Sequence, residues 1–181
     1  IETCAPCHSR RRLINPETDL ATSFHDCFVA NSIEPNLYYA DGQIKDEVYE
    51  LGSFTQSKMY QKGIRCTDCH DPHSTRLKHS GNVLCTSCHQ HPAAKYDTPG
   101  HHHHLAGSTG SSCVECHMPA TPFMKIDFRR DHSLRIPRPD LSTRFKTPNA
   151  CTGCHLAKAN LDATAANGLS HYSDWLAARS S

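Results

Sequence analysis

The chain has 181 residues, of which 37% are hydrophobic and 7% aromatic, with eleven prolines, eleven cysteines and a formal net charge of +1. So sparse an apolar complement cannot close a core for one or two small domains unaided, and scaffolds of this kind need covalent or metal staples. The balanced charge excludes the basic face that nucleic acid demands, and no apolar run reaches the length of a membrane span.

The first stretch, Cys4-Ala5-Pro6-Cys7-His8, leads into Arg10-Arg11-Arg12, which could continue a short helix. Residues 13–45 are turn-rich, with Asn15-Pro16, Glu34-Pro35 and Asp41-Gly42. They contain His25, alone between His8 and His70, and Cys27. Residues 45–62 read as a helix, with Val48, Leu51, Phe54, Met59 and Tyr60 giving a rough apolar side. Gly52 is expected to break it and Gly63 to stop it. Residues 66–92 follow, with Asp71-Pro72-His73 directly after Cys66-Thr67-Asp68-Cys69-His70. Pro72 prevents simple helix continuation and throws His73 outward. His79 and His91 are secondary ligand candidates.

Residues 93–112 read as a loop holding His101 to His104 and a Gly/Ser stretch. Four neighbours cannot face one iron, but residues three apart can face two, which selects His101 and His104. Residues 120–148 read as Pro-rich and extended, with His132 after Arg129-Arg130 as a further ligand candidate. Ile136-Pro137-Arg138-Pro139-Asp140 is not expected to be regular helix or a central strand. The stretch 156–179 is Ala/Leu-rich and expected to be helical, with His171 unassigned.

One pattern organises the chain. Cys-x-x-Cys-His occurs at Cys4/Cys7/His8, Cys66/Cys69/His70, Cys85/Cys88/His89, Cys113/Cys116/His117 and Cys151/Cys154/His155. This pentapeptide attaches c-type haem: the two sulfurs form thioethers with the porphyrin and the histidine ligates iron. Zinc sites use Cys-x-x-Cys pairs but do not need a histidine directly after each. Disulfides would leave the histidine unexplained. Ten of eleven cysteines are thus used, and Cys27 is left as a small buried apolar residue or a reactive thiol.

Fifteen histidines less the five of the motifs leaves ten, so five irons can each find a distal ligand. His25, His73, His101, His104 and His132 fill that need. Bis-histidine ligation closes both axial positions and favours electron exchange over substrate chemistry. Met59, Met118 and Met124 are the alternative axial ligands, and each would raise the potential. The arginines Arg10 to Arg12, Arg129-Arg130, Arg135 and Arg138 either partner haem propionates or serve as exposed solubilising groups.

The stretch Glu50 to Ser74 resembles the multihaem cytochromes with doubled Cys-x-x-Cys-His motifs, some of which carry tetratricopeptide repeats after the haem part. Lys95-Tyr96-Asp97-Thr98-Pro99, Cys116-His117-Met118-Pro119 and Arg129 to Asp140 match the same pattern. The resemblance covers nearly the whole chain. It implies a multihaem cytochrome c fold, mainly irregular with a few short α-helices and little β, its core built of haems. It also implies electron transfer, and histidines at the positions of the five distal candidates. The expectation is one pentahaem domain over 1–181, a mature or trimmed chain whose leader is missing, residing in the periplasm or outside the cell.

Five haem c groups (iron) would pass electrons between redox protein partners or to an extracellular acceptor, either in an isolated carrier or in a homopolymeric filament. No nucleic acid and no transmembrane segment is expected. The rival reading is an enzyme, a reductase of nitrite, hydroxylamine or a sulfur oxyanion at one open haem. It needs an open iron flanked by proton donors and cations.

Overall fold

The computed structural model describes residues 1–155 except 18, 20, 47, 48, 90–94 and 125. The expected helix 156–179, together with His91 and His171, lies outside the described residues. The architecture is mostly irregular, with short helices and two small ribbons.

Each Cys-x-x-Cys-His lies in or beside a short helical segment. These are α1 (Ala5–His8), α5 (Cys66–Cys69), α6 (Val83–Thr86), α8 (Cys113–His117) and α10 (Ala150–His155). A helical turn places residues three and four apart on one face, so both cysteines and the histidine project together. The arginines after α1 do not extend it. Ser9 is extended and Arg11–Leu13 form β1, antiparallel to β2 (Phe28–Ala30) with Arg12 opposite Val29. Arg11 lies over the Phe28 ring at 4.7 Å, a contact that suits a ribbon better than a helix. Between them, α2 (Phe24–Cys27) buries Phe24 and Cys27.

The helix expected over 45–62 is two helices, α3 (Tyr49–Phe54) and α4 (Lys58–Gln61). The break falls at Ser57 rather than Gly52. Ser57 caps α4, its hydroxyl accepting from the Tyr60 N–H at 3.0 Å. Gly52 has a different role. The Tyr38 hydroxyl covers it so closely that any Cβ would overlap. Gly63 has φ +86°, as a helix stop requires.

Two further expectations are corrected. Residues 99–111 include α7 (Pro99–His102) and a 3-10 turn at Thr109–Ser111. The Pro-rich part contains a hairpin, β3 (Ala120–Phe123) against β4 (Asp127–Arg130), with Pro122 opposite Phe128. A two-strand ribbon is all edge and tolerates that proline. Helix α9 (Pro139–Phe145) starts inside the stretch expected to be non-helical. Pro139 is at its first position, where the missing N–H costs nothing.

The buried aliphatic, aromatic and cysteine side chains among the described residues are Ala5, Phe24, Cys27, Leu37, Tyr38 and Phe54. Leu37 and Tyr38 form the cluster, with Ile44 against them. Beyond Phe54, the buried side chains among the described residues are the polar Ser57, Ser111, Asp131, Ser133 and Thr147, together with Pro139. Aliphatic packing therefore organises only the N-terminal third, and something else must organise the motifs.

Candidate haem attachment sites

The five motifs are neighbours in chain order. Burial pushes the Cys66 thiol up, and Cys4, hydrogen-bonded to it, adds to the effect. Burial likewise raises Cys69, with Cys88 of the third motif among the charges it meets. Cys85 is pushed up to about 11 by burial and by Cys113 of the fourth motif. Cys116 is raised by burial and by Cys151 and Cys154 of the fifth, whose helix packs on α8. The first motif thus touches the second, the third the fourth and the fourth the fifth, while Cys69 of the second lies within electrostatic reach of Cys88 of the third. All eleven cysteines are unbridged.

The histidines show a second regularity. Two imidazoles sharing one metal through Nε2, with bonds of about 2.0 Å each, have ring centres about 6 Å apart. His101 and His117 have centroids 6.0 Å apart with planes inclined by 7°. His104 and His155 are 5.9 Å apart, and His70 and His132 are 6.4 Å apart. Each pair joins a motif histidine to one from outside the motifs. Separation alone does not select such pairs, because His102 and His104 also lie 6.5 Å apart. His102, however, uses its Nδ1 locally, accepting from the His104 N–H at 3.1 Å.

Nδ1 anchoring supports the same assignment. His117 Nδ1 donates to the Arg135 carbonyl at 2.6 Å and His132 Nδ1 to the Arg130 carbonyl at 2.9 Å. His104 Nδ1 meets the His102 carbonyl, and His70 Nδ1 lies 3.4 Å from the Thr75 carbonyl. His8 Nδ1 instead faces Glu50 Oε2 at 3.0 Å. A proton held on Nδ1 leaves Nε2 unprotonated, the form a ligand needs. Burial holds His101 below the ordinary imidazole range, with His117 adding to the effect, which also favours the neutral ring.

Local chemistry places these rings. His103 has φ +59°, a left-handed residue ending α7, so the chain reverses between His101 and His104. Gly110 lies against the His104 ring, where a Cβ would overlap it. Asp131 is buried; its carboxylate accepts from the Ser133 N–H at 2.8 Å and the Ile44 N–H at 3.4 Å, tying the His132 loop to the core. His25 packs edge-on against Phe24 at 5.1 Å and His73 lies on an exposed turn. In that turn Asp71 accepts from the N–H groups of His73 and Ser74, both at 2.9 Å, and those bonds hold its carboxyl below the usual range.

Three supporting residues escape the motif logic. Asn82 Nδ2 donates to Asp97 at 2.8 Å and to the Ser111 carbonyl at 2.9 Å, while its Oδ1 accepts from the Cys113 N–H at 2.9 Å. It joins the third motif to the fourth. Arg135 donates to the Asp41 carbonyl and to Gln56 at 3.1 Å, beside the carbonyl that anchors His117. Gly110 is the third. No short-range pattern marks any of them.

Several of the arginines have protein partners. Arg130 reaches Glu115 at 2.6 Å and the carbonyls of Val114 and Met118 on or beside α8. Arg138 pairs with Asp140, and Arg129 stacks on Phe123 at 3.8 Å.

Residues 58–94 match the family described as the doubled CXXCH motif, a span holding the second and third motifs. The outer cell wall cytochrome OcwA has a crystal structure similar to this chain, with a TM-score of 0.55 and 16% identity. The fold is that of a multihaem c-type cytochrome. The match covers 85% of this chain and 48% of that one, so the chain spans about half the length of OcwA. No curated protein matches the sequence. In this cytochrome fold the doubled motif is an attachment site for covalently bound haem c. The donor set suits the cofactor: cysteines three apart, the following histidine, and imidazoles paired at the two-bond span. Among the described residues no three His, Cys, Asp or Glu side chains converge as a metal-ion site. No described helix is long and apolar enough to cross a membrane.

Proposed function

We propose that the chain is an electron conduit acting outside the cytoplasm, with haem c at all five motifs. The observation that carries this reading is the succession of the motifs in space: the first touches the second, the third the fourth and the fourth the fifth, with histidine pairs at three of them. Bound haem supplies one-electron chemistry at iron. The residues supply position. Cys4/Cys7, Cys66/Cys69, Cys85/Cys88, Cys113/Cys116 and Cys151/Cys154 would hold the five groups, and His8, His70, His89, His117 and His155 would be their proximal ligands. His132, His101 and His104 would be distal to His70, His117 and His155, as their ring separations support. His25 and His73 remain the candidates for the first and third motifs.

The resemblance to OcwA, a cytochrome of the outer cell wall by its name, supports an extracellular setting. Redox protein partners or an extracellular acceptor would complete the path. A filament of this chain would extend it by placing the fifth motif of one copy beside the first of the next.

Intact-mass measurement with a pyridine haemochrome assay tests the count. Five covalent haems per chain and wholly low-spin oxidised spectra are expected. Fewer haems, or a high-spin fraction that shifts with nitrite or cyanide, would overturn the closed-conduit reading and favour the reductase. Electron microscopy of the purified protein would separate filament from monomer.

A further inference from the structure

We infer that Glu50 is a redox-positioning residue that lowers the potential of the haem at the first motif relative to that at the second, directing electrons from the first motif toward the second. This rests on the haem assignment proposed above. Its ground is a difference in the partner of Nδ1. His70, His104, His117 and His132 all face main-chain carbonyls. His8 alone of these five faces a carboxylate, Glu50 Oε2, at 3.0 Å. A carbonyl is a neutral acceptor. A carboxylate draws the Nδ1 proton more strongly and raises the electron density at Nε2. A more basic axial imidazole stabilises ferric over ferrous iron, so the potential falls.

The placement of Glu50 is built by the fold. Helix α3 packs on α1, the helix that carries His8. Tyr49, just before Glu50, has φ +61°, which is uncommon for a residue with a Cβ. Its ring sits 6.0 Å from Phe123 of the β3–β4 hairpin. Gly52, two residues on, lets α3 approach Tyr38 of the core. The His8 side chain is 62% and the Glu50 side chain 27% exposed, so water screens the pair, and the carboxylate acts chiefly through its hydrogen bond to Nδ1. The second motif is the neighbour of the first through Cys66 and Cys4. Its histidine, His70, has only a carbonyl partner at 3.4 Å. Two adjacent sites with unlike Nδ1 partners make a step in potential along the path.

The test is a potentiometric titration of the purified holoprotein at fixed pH, followed optically and by electron paramagnetic resonance. His8→Met identifies the first-motif wave, because methionine ligation moves it upward. Glu50→Gln, nearly the same size, should raise that wave alone. The expected size is at least tenfold in its reduction equilibrium, about 59 mV for one electron. Glu50→Asp should hold it close to the unaltered value. An unmoved first wave in Glu50→Gln, or five waves moving together, would overturn the role given to Glu50. Mass measurement on the same samples keeps the two readings apart. Fewer than five haems overturns the conduit assignment, whereas five haems with an unmoved first wave overturns only this inference.

Discussion

On the five-haem reading proposed above, with His104 an iron ligand, Gly110→Ala should detach that ligand. A methyl carbon at this position would stand 2.6 Å from His104 Nε2 and closer still to two ring carbons. Non-bonded atoms settle at about 3.5–4.0 Å, so the ring must retreat by roughly 1 Å. An iron–imidazole bond cannot lengthen by that much and survive, and functional constellations tolerate only about 0.5 Å. Gly110 has no positive φ to complicate the substitution, so the effect is steric. Overpacking of this kind costs roughly 1–3 kcal/mol, which the ring can escape by swinging out. The oxidised holoprotein should then gain a high-spin signal from one haem in five, and that haem should bind cyanide. Five unchanged low-spin signals would refute the assignment of His104 as an iron ligand.

Asn82→Ala removes three hydrogen bonds and leaves the Cys113 N–H without its side-chain partner; thermal unfolding of the holoprotein should show a loss of roughly 2–3 kcal/mol. Arg130→Met cuts the tie to Glu115 and the α8 carbonyls; the pair is partly solvated, so unfolding should show a smaller loss of about 1–2 kcal/mol, together with a perturbed signal from the fourth haem. The depressed carboxyl of Asp71 contributes order to the His73 turn above its ordinary pKa, and loses it as pH falls through the lower folded value. Protection of the His73 and Ser74 amides, measured against their intrinsic exchange rates, should therefore fall below about pH 4. Asp71→Asn should weaken the turn at neutral pH, and protection insensitive to acid would contradict this.

The sequence displays its chemistry more openly than its geometry. The doubled motif over 58–94 is legible as a haem attachment site because the chemistry is local: two sulfurs and an imidazole on one helical turn. The choice of His101 and His104 was open to reasoning because a three-residue spacing separates two targets, and the structure sets each opposite a motif histidine. The break in the helix over 45–62 was misplaced because Gly52 has two readings in sequence, and only the Tyr38 hydroxyl decides between them. The roles of Asn82 and Glu50, and the partners of Arg135, were invisible for the same reason. Asn82 touches residues 15 to 31 positions away and Glu50 one 42 away, while Arg135 reaches back 79 positions to Gln56. No short pattern encodes such reach. The α9 start shows the opposite error: Pro139 was read as a breaker where its position makes it an opener.

The brevity of the helices bears on how the protein matures. A four-residue turn such as Cys66–Cys69 cannot nucleate in water, because one hydrogen-bonded turn does not offset the entropy of fixing it. Among the described residues beyond Phe54, Pro139 is the only buried apolar side chain, so without cofactor there is little apolar burial with which to compensate. The ligation machinery would therefore meet each pentapeptide as a pliable, accessible strand. Compaction would follow attachment rather than precede it, and the apoprotein would be a substrate for loading and, left unloaded, for proteolysis.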